Sequence, residues 1–337
     1  MPEMTIAEAL REGLREELRR DPRVFLLGED IGVPGGFGGA FTVTLGLSEE
    51  FGRERVRDTP ISEAAIAGVA IGAAINGMRP VADVQYGDFL FNMMDQLVNQ
   101  AAKLRYMSGG TLAVPMVMRA PVGATARGSQ HAQSPEAFFT HVPGLKVVAP
   151  ATAYDAKGLL KAAIRDDNPV LIFEHKLLYG SKGARSEKGA VSPKGEVPAE
   201  DYIVPIGEAI VRRPGTDVTI VASLLMLYRA LEAAEVLAQE GIEAEVIDPR
   251  SLVPFDKELV RHSVQKTGRL VIVEEDNLTN GWGAEVAALM ADEAFVWLDA
   301  PIKRVAAPDV PPPFAPVLEQ NYVPSVARVV ETVRSLF

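Results

Sequence analysis

The chain is predicted to fold as α/β, in two domains, each a mostly parallel sheet flanked by helices. Three observations carry that prediction. At 337 residues the chain is long enough for two hydrophobic cores of ordinary size. In both halves, short apolar runs of strand length alternate with amphipathic stretches of helical period. Between the halves, from Gly180 to Asp201, the composition turns to Gly, Ser, Lys, Pro and Glu without periodicity, which marks a linker. The expected domains are 1–180 and 203–337, with 181–202 joining them.

Composition narrows the function. Hydrophobic residues at 47% and charged residues at 23% suit a soluble globular protein. A net charge of −11 and the lack of any dense Lys/Arg block argue against a nucleic-acid partner. With no cysteine there is no disulfide framework, thiolate nucleophile or Cys-based metal site, which fits a reducing cytoplasm. Met1-Pro2-Glu3-Met4-Thr5 lacks the basic stretch and apolar run of a signal peptide. The longest greasy run, Ala64 to Ile75, falls short of the about 20 residues that a membrane helix needs.

Thr5-Ile6-Ala7-Glu8 has the spacing of a capping box, and Ile6, Leu10, Leu14 and Leu18 recur on one face of an opening helix. Val24 to Leu27 reads as a buried strand that delivers Glu29 and Asp30 to its C-terminal end, where ligands of open α/β sheets gather. The Gly32–Gly39 loop lacks the ending of a P-loop and is read as a flexible connector; Gly28 to Gly32 does not make a dinucleotide fingerprint.

Thr59-Pro60-Ile61-Ser62-Glu63 then opens an Ala/Gly/Ile run. Pro60 fits the first turn of a helix and Thr59 or Ser62 is able to cap it, which puts Glu63 in that turn. The helix dipole favours the Glu63 carboxylate, whereas desolvation by the run favours the neutral acid. Two readings stay open: a solvated acid at a helix start, or a group that shares a proton with a basic ring nitrogen. Tyr86 and Phe89, one strand further on, suit a flat ring. Ala64, Gly68 and Gly72 fall four apart and bare a face for close approach, in the core or against a subunit.

A strand near Val81–Val84 and a helix from about Asn92 to Tyr106, with Met93, Leu97, Ala101 and Leu104 in a stripe, come next. Strand Val114–Arg119 leads into a Gly/Ser/Thr-rich loop carrying His131, placed either for catalysis or for a structural role. Strand Lys146–Ala149, helix Ala153–Arg165 and strand Val170–Phe173 complete the first half. The second half offers strands at Asp217–Ser223, Ala244–Ile247, Leu270–Val273 and Ile302–Val305, with helices after Ser223, near Lys257–Lys266, Trp282–Asp292 and Ser325–Ser335. It holds no nucleophile-plus-base arrangement, so a supporting or dimerising role is expected of it.

Several stretches taken together resemble one family over nearly the whole chain: Leu27-Gly28-Glu29-Asp30, Asp58-Thr59-Pro60-Ile61-Ser62-Glu63, Arg105-Tyr106-Met107-Ser108-Gly109-Gly110, Gln130-His131-Ala132-Gln133-Ser134 and Pro143-Gly144-Leu145-Lys146-Val147-Val148. The family is the beta subunit of the thiamine-diphosphate-dependent, decarboxylating first component of 2-oxo acid dehydrogenase complexes. The resemblance implies a transketolase-like pyrimidine-binding domain followed by a transketolase C-terminal-like domain. It implies that Glu63 hydrogen-bonds the cofactor's aminopyrimidine, that Phe89 packs on that ring, and that Glu29, Ile61, Ser62, Gln85 and Tyr86 line the same pocket. His131 matches the histidine that faces the thiazolium and is expected to donate a proton as the acyl group passes to a lipoyl disulfide.

The family's diphosphate motif, Gly-Asp-Gly followed downstream by Asn, does not occur; Gly87-Asp88 is followed by Phe89. The resemblance therefore implies that an alpha subunit holds Mg2+ and the diphosphate in an α2β2 heterotetramer, with a lipoyl-bearing dihydrolipoamide acyltransferase as further partner. Asp166 and Asn168 match a turn that in some members binds a structural potassium ion, with an ordinary Asp-Asn turn as the alternative. Pyruvate is the favoured substrate from Phe89 and Arg105 to Ser108; branched-chain 2-oxo acids and acetoin are the alternatives. A non-catalytic assembly subunit is the reading from a different class, and a transketolase-like enzyme complete in one chain is disfavoured because the diphosphate motif is missing.

Overall fold

Near-continuous apolar runs make strands that are covered on both faces, and such strands pair in parallel when helices cross over between them. The computed structural model, which describes residues 1–180, 191 and 193–337, forms two units: 1–122 with 138–206, and 123–137 with 207–337. In the first unit six strands run parallel in the order Lys146–Val148, Val170–His175, Val117–Val122, Arg79–Asp83, Val24–Gly28 and Val56–Asp58. The strand Val56–Asp58 was not expected; its sequence, Val-Arg-Asp, carries one apolar residue and so no strand signal.

Helix Ile6–Arg20 starts at the expected capping box, with Thr5 and Glu8 bonding each other's backbone. It packs on helix Ala153–Arg165, where Gly13 lies against Lys157 and Leu160 and Glu16 and Glu17 pair with Lys157, Lys161 and Arg165, and its Leu10, Leu14 and Leu18 are buried. The expected continuous helix from Asn92 to Tyr106 is instead a tight 3₁₀ segment, Gly87–Met93, then a wide π-type segment, Asp95–Ala101, then an α-helix, Ala102–Met107. Met93, Leu97 and Ala101 are buried. Their strict spacing of four residues exceeds the about 3.6 of an α-helix, and wider turns keep them on one face.

The expected linker 181–202 lies largely outside the described residues. Of the remainder, Gly195–Glu196 pairs antiparallel with Glu3–Met4, Asp201 bonds Arg165 and Lys161, and Tyr202 stacks on Tyr154 at 4.6 Å.

The second unit's sheet has the order Lys303–Ala307, Leu270–Asn277, Val218–Ala222, Ala244–Asp248 and Ile210–Arg213, with only the last strand antiparallel. Helices Leu224–Ala238, Lys257–Thr267, Trp282–Glu293 and Val326–Arg334 flank it. The segment 123–137, which the sequence left in the first half, groups with this second unit. Among the described residues no helix is long and apolar enough to cross a membrane.

Candidate active site

Parallel strands bring their C-terminal ends to one edge, and the Glu63 corner is built there. Gly28, at the end of its strand, pairs with Asp83, and a Cβ at Gly28 would sit 2.7 Å from the Asp83 carbonyl oxygen. The Gly28 carbonyl accepts the Thr59 N–H at 3.0 Å, stitching the Thr59–Glu63 turn to the strand end. The helix Glu63–Ile75 begins at Glu63 itself, so Pro60 precedes the helix and lies outside its first turn. Ser62 takes the capping position but its hydroxyl makes no cap bond. The first-turn amide donors therefore face outward without a side-chain acceptor, an arrangement that favours a negative or hydrogen-bonding group at that end. Beside them Thr59 Oγ1 is buried without a hydrogen-bond partner. Ile61 is 82% exposed, an apolar side chain left uncovered by the described residues.

Glu29 and Glu63 face each other electrostatically. Burial pushes the Glu29 carboxyl above its ordinary value, and the nearby charges of Glu63, then Asp30, Asp58 and Asp83, push it the same way. Gln85 Nε2 donates to the Glu29 carbonyl at 2.8 Å. The Tyr86 ring meets Phe89 edge-on at 5.8 Å and Phe41 at 6.0 Å, with Lys176 Nζ 5.0 Å from its centre. Glu29, Glu63, Gln85, Tyr86 and Phe89 are thus gathered at one corner, with Ile61 and Ser62 exposed on its rim.

Under this corner lies a buried charge network that sequence reasoning missed. Arg119 Nε and Nη2 donate to the two oxygens of Glu174 at 2.9 and 2.7 Å, and Arg119 Nη1 also donates to Asp83. Tyr179 donates to Glu174 at 2.6 Å and stacks on Phe41 at 4.8 Å. Burial raises the Asp83 carboxyl to about 6 against the pull of Arg119. The available signal was a charge inside each of two apolar runs, Val-Met-Arg-Ala at 117–120 and Leu-Ile-Phe-Glu at 171–174.

His131 belongs to the second unit, on the segment 123–137. Its N–H donates to the Gly128 carbonyl at 3.1 Å, and Gly123 N–H donates to the Gln133 carbonyl at 3.0 Å, closing the loop. The loop meets the acidic end of strand Leu270–Asn277. Glu136 is buried there with Oε2 unpartnered, and burial followed by the charge of Asp276 raises its carboxyl well above the usual range. Asp276 is raised to about 6 by burial, and its oxygens accept the N–H groups of Ala137 and Asn277.

Asp166 and Asn168 lie before strand Val170–His175, at the N-terminal edge of the sheet and away from the Glu63 corner. Asp166 Oδ1 accepts both the N–H and Nδ2 of Asn168 at 2.8 Å, and its other oxygen pairs with Lys146. Arg79 donates to the carbonyls of Ile164 and Asp166 at 2.9 Å, and Arg105 donates to Asn168 Oδ1 at 2.7 Å.

Comparison with known proteins gives consistent findings. The family model described as transketolase, pyrimidine binding domain, matches residues 2–182, and that of the transketolase C-terminal domain matches residues 207–329. The chain is 46% identical over 338 residues to 2-oxoisovalerate dehydrogenase subunit beta of Bacillus subtilis, covering 100% of this chain and 99% of that protein. It is 47% identical over 339 residues to acetoin:2,6-dichlorophenolindophenol oxidoreductase subunit beta of Cupriavidus necator, covering 98% and 96%. It is 46% identical over 333 residues to pyruvate dehydrogenase E1 component subunit beta-2, mitochondrial, of Oryza sativa subsp. japonica, covering 98% and 86%. Among solved structures, a split gene transketolase described as an inactive beta4 tetramer matches with a TM-score of 0.78 and 26% identity, covering 99% of this chain and 98% of that one.

Proposed function

The chain belongs to the family of beta subunits of thiamine-diphosphate-dependent 2-oxo acid and acetoin dehydrogenases, and from that membership we propose that it completes the pyrimidine side of the cofactor site in a decarboxylating first component that favours pyruvate. It is a subunit of an oxidoreductase that depends on an alpha partner. In this reading the assembly is an α2β2 tetramer that hands its acyl group to a lipoyl-bearing acyltransferase.

The observation that carries the proposal is Glu63 at the open start of its helix, paired with the raised Glu29 carboxyl and bordered by Tyr86 and Phe89. The residues present fit an aminopyrimidine: a carboxyl to exchange a proton, a flat aromatic to pack on, and a buried Thr59 hydroxyl lacking a partner among the described residues. Glu63 would hold the ring nitrogen and exchange a proton with it, Phe89 would pack on the ring, and Glu29, Ile61, Ser62, Gln85 and Tyr86 would line the pocket. His131 donates the proton in acyl transfer. Thiamine diphosphate, when bound, supplies the carbon nucleophile and the electron sink. The diphosphate and Mg2+ fall to the alpha subunit.

Relatives named for three different substrates match almost equally, at 46%, 47% and 46%, so identity does not choose among them. The preference for pyruvate rests on Phe89 and Arg105 to Ser108. Reconstitution with the alpha subunit, assayed with pyruvate, 2-oxoisovalerate and acetoin, tests it: pyruvate is expected to give the highest kcat/KM. In the same enzyme Glu63→Gln is expected to lower turnover by about 100-fold or more with the melting temperature retained. Full activity in that variant would turn the reading toward an assembly subunit.

For Asp166 and Asn168 the arrangement supports the cross-linked turn over a potassium site, because the Ile164 and Asp166 carbonyls already accept Arg79. Thermal stability is expected to stay level when potassium is exchanged for a larger cation; a marked fall would restore the metal reading.

A further inference from the structure

We propose that Glu275 and Glu319 are positioning residues that hold the loop 123–137 in the shape His131 needs; this rests on the proton-donor role given above to His131. The loop has little regular structure, yet its backbone donors are met by side chains far away in sequence. Ala124 N–H donates to Glu275 Oε1 at 2.6 Å, Ala126 N–H to Glu319 Oε2 at 2.5 Å, and Ala137 N–H to Asp276 Oδ2 at 3.3 Å. Ser129 Oγ donates to the Pro312 carbonyl at 2.9 Å. Gly128 lies against Phe314, whose ring would be 3.2 Å from a Cβ at that position.

Ala126 shows why such a hold is needed. Its φ of 54° is left-handed, a conformation that an alanine does not keep unaided. Its own amide is the one that Glu319 accepts, and hydrogen bonds to a carboxylate are stronger than those between neutral groups. Glu275, buried at the end of strand Leu270–Asn277, fixes the entry of the loop at Ala124. Glu319, half-buried in the short helix Pro316–Tyr322, fixes its middle a few residues before His131. The loop is therefore shaped by carboxylates whose only common feature with it is the tertiary fold of the second unit.

In reductive acylation the lipoyl S–S bond breaks, reduced by the electron pair of the decarboxylated donor. One sulfur gains the acyl carbon, and the other leaves as a thiolate and takes the proton from His131. Reduction of the dye 2,6-dichlorophenolindophenol does not use that protonation, so the ratio of lipoamide turnover to dye turnover reads the histidine.

The test uses the reconstituted enzyme with its alpha subunit. Glu319→Ala is expected to lower that ratio about tenfold, by the sensitivity of proton transfer to small displacements. The KM for the 2-oxo acid should hold, and amide exchange across 123–137 should quicken, cofactor present or not. Glu319→Gln, which keeps an accepting oxygen, should restore both readouts. His131→Ala sets the scale: if it leaves the ratio intact, the donor role itself is wrong. If His131→Ala lowers the ratio and Glu319→Ala does not, the positioning role is overturned. An equal fall of both turnovers with a lower melting temperature would also overturn it, leaving Glu319 as part of the general fold. Should Glu319→Ala not assemble, Glu275→Ala, which removes the acceptor of the Ala124 N–H, carries the same comparison.

Discussion

A guanidinium inside a parallel sheet is tolerated only if its charge and donors are met, and Arg119, 2% exposed, meets them with Glu174 and Asp83. Removing the arginine strands two acids in the core. Arg119→Met is accordingly expected to cost about 3–5 kcal/mol in denaturant unfolding of the first unit, while an Arg119→Met, Glu174→Met double variant should recover part of that loss. Glu274, in the second unit, shows the opposite economy. It is almost fully buried and accepts Gly283 N–H at 2.8 Å, with Arg304 3.4 Å away, yet burial still lifts its carboxyl from 4.5 to about 8. The folded chain therefore holds a proton that the unfolded chain has released. The stability this gives is whole below the unfolded value of 4.5 and is lost as pH rises through about 8. Thermal melts should show the protein weakening across that window, and Glu274→Gln should flatten the slope.

At the scale of elements, the helix Glu63–Ile75 is the informative one. Ile66, Ala67, Ala70, Ile71 and Ala74 are buried against the sheet. Its other face carries Ala64, Ala65, Gly68 and Val69, all exposed, and a Cβ added at Gly68 or Gly72 would touch none of the described residues. A helix apolar on every side is covered on every side in the working protein, and small residues let the covering element come close. Gly68→Leu is expected to leave the melting temperature of the isolated chain unchanged or slightly higher, since glycine costs a helix about 1 kcal/mol. The same change should abolish co-elution with the alpha subunit; undisturbed assembly would remove this face from the interface. The helix start was legible from Thr59 to Glu63 because proline, serine and an acid cluster there for known reasons. Its actual first residue was not, because capping by Ser62 depends on a bond that the fold does not make.

On the scale of the whole molecule, the prediction is an incomplete enzyme. Titration calorimetry of the isolated chain should find weak binding of thiamine diphosphate, tightening when the alpha subunit is added. Strong binding by the chain alone would contradict the sharing of the site. The sequence by itself determined the α/β class, the two-part organisation, the Glu63 corner with Glu29, Tyr86 and Phe89, and the candidacy of His131. The class, the two-part organisation and the helix start at Glu63 follow from short-range patterns, the period of apolar residues and the chemistry of a helix start, whereas the place of Glu29 in the pocket and the roles of Phe89 and His131 were implied by the resemblance to the family. Only the tertiary structure decided that 123–137 is built with the second unit, that Glu275 and Glu319 grip it, and that Asp83, Arg119, Glu174 and Tyr179 form one network beneath the corner. Apart from Tyr179 and Glu174, five positions apart, those links join residues tens to hundreds of positions apart, and a hydrogen bond depends on where two atoms lie in space, which local periodicity does not encode.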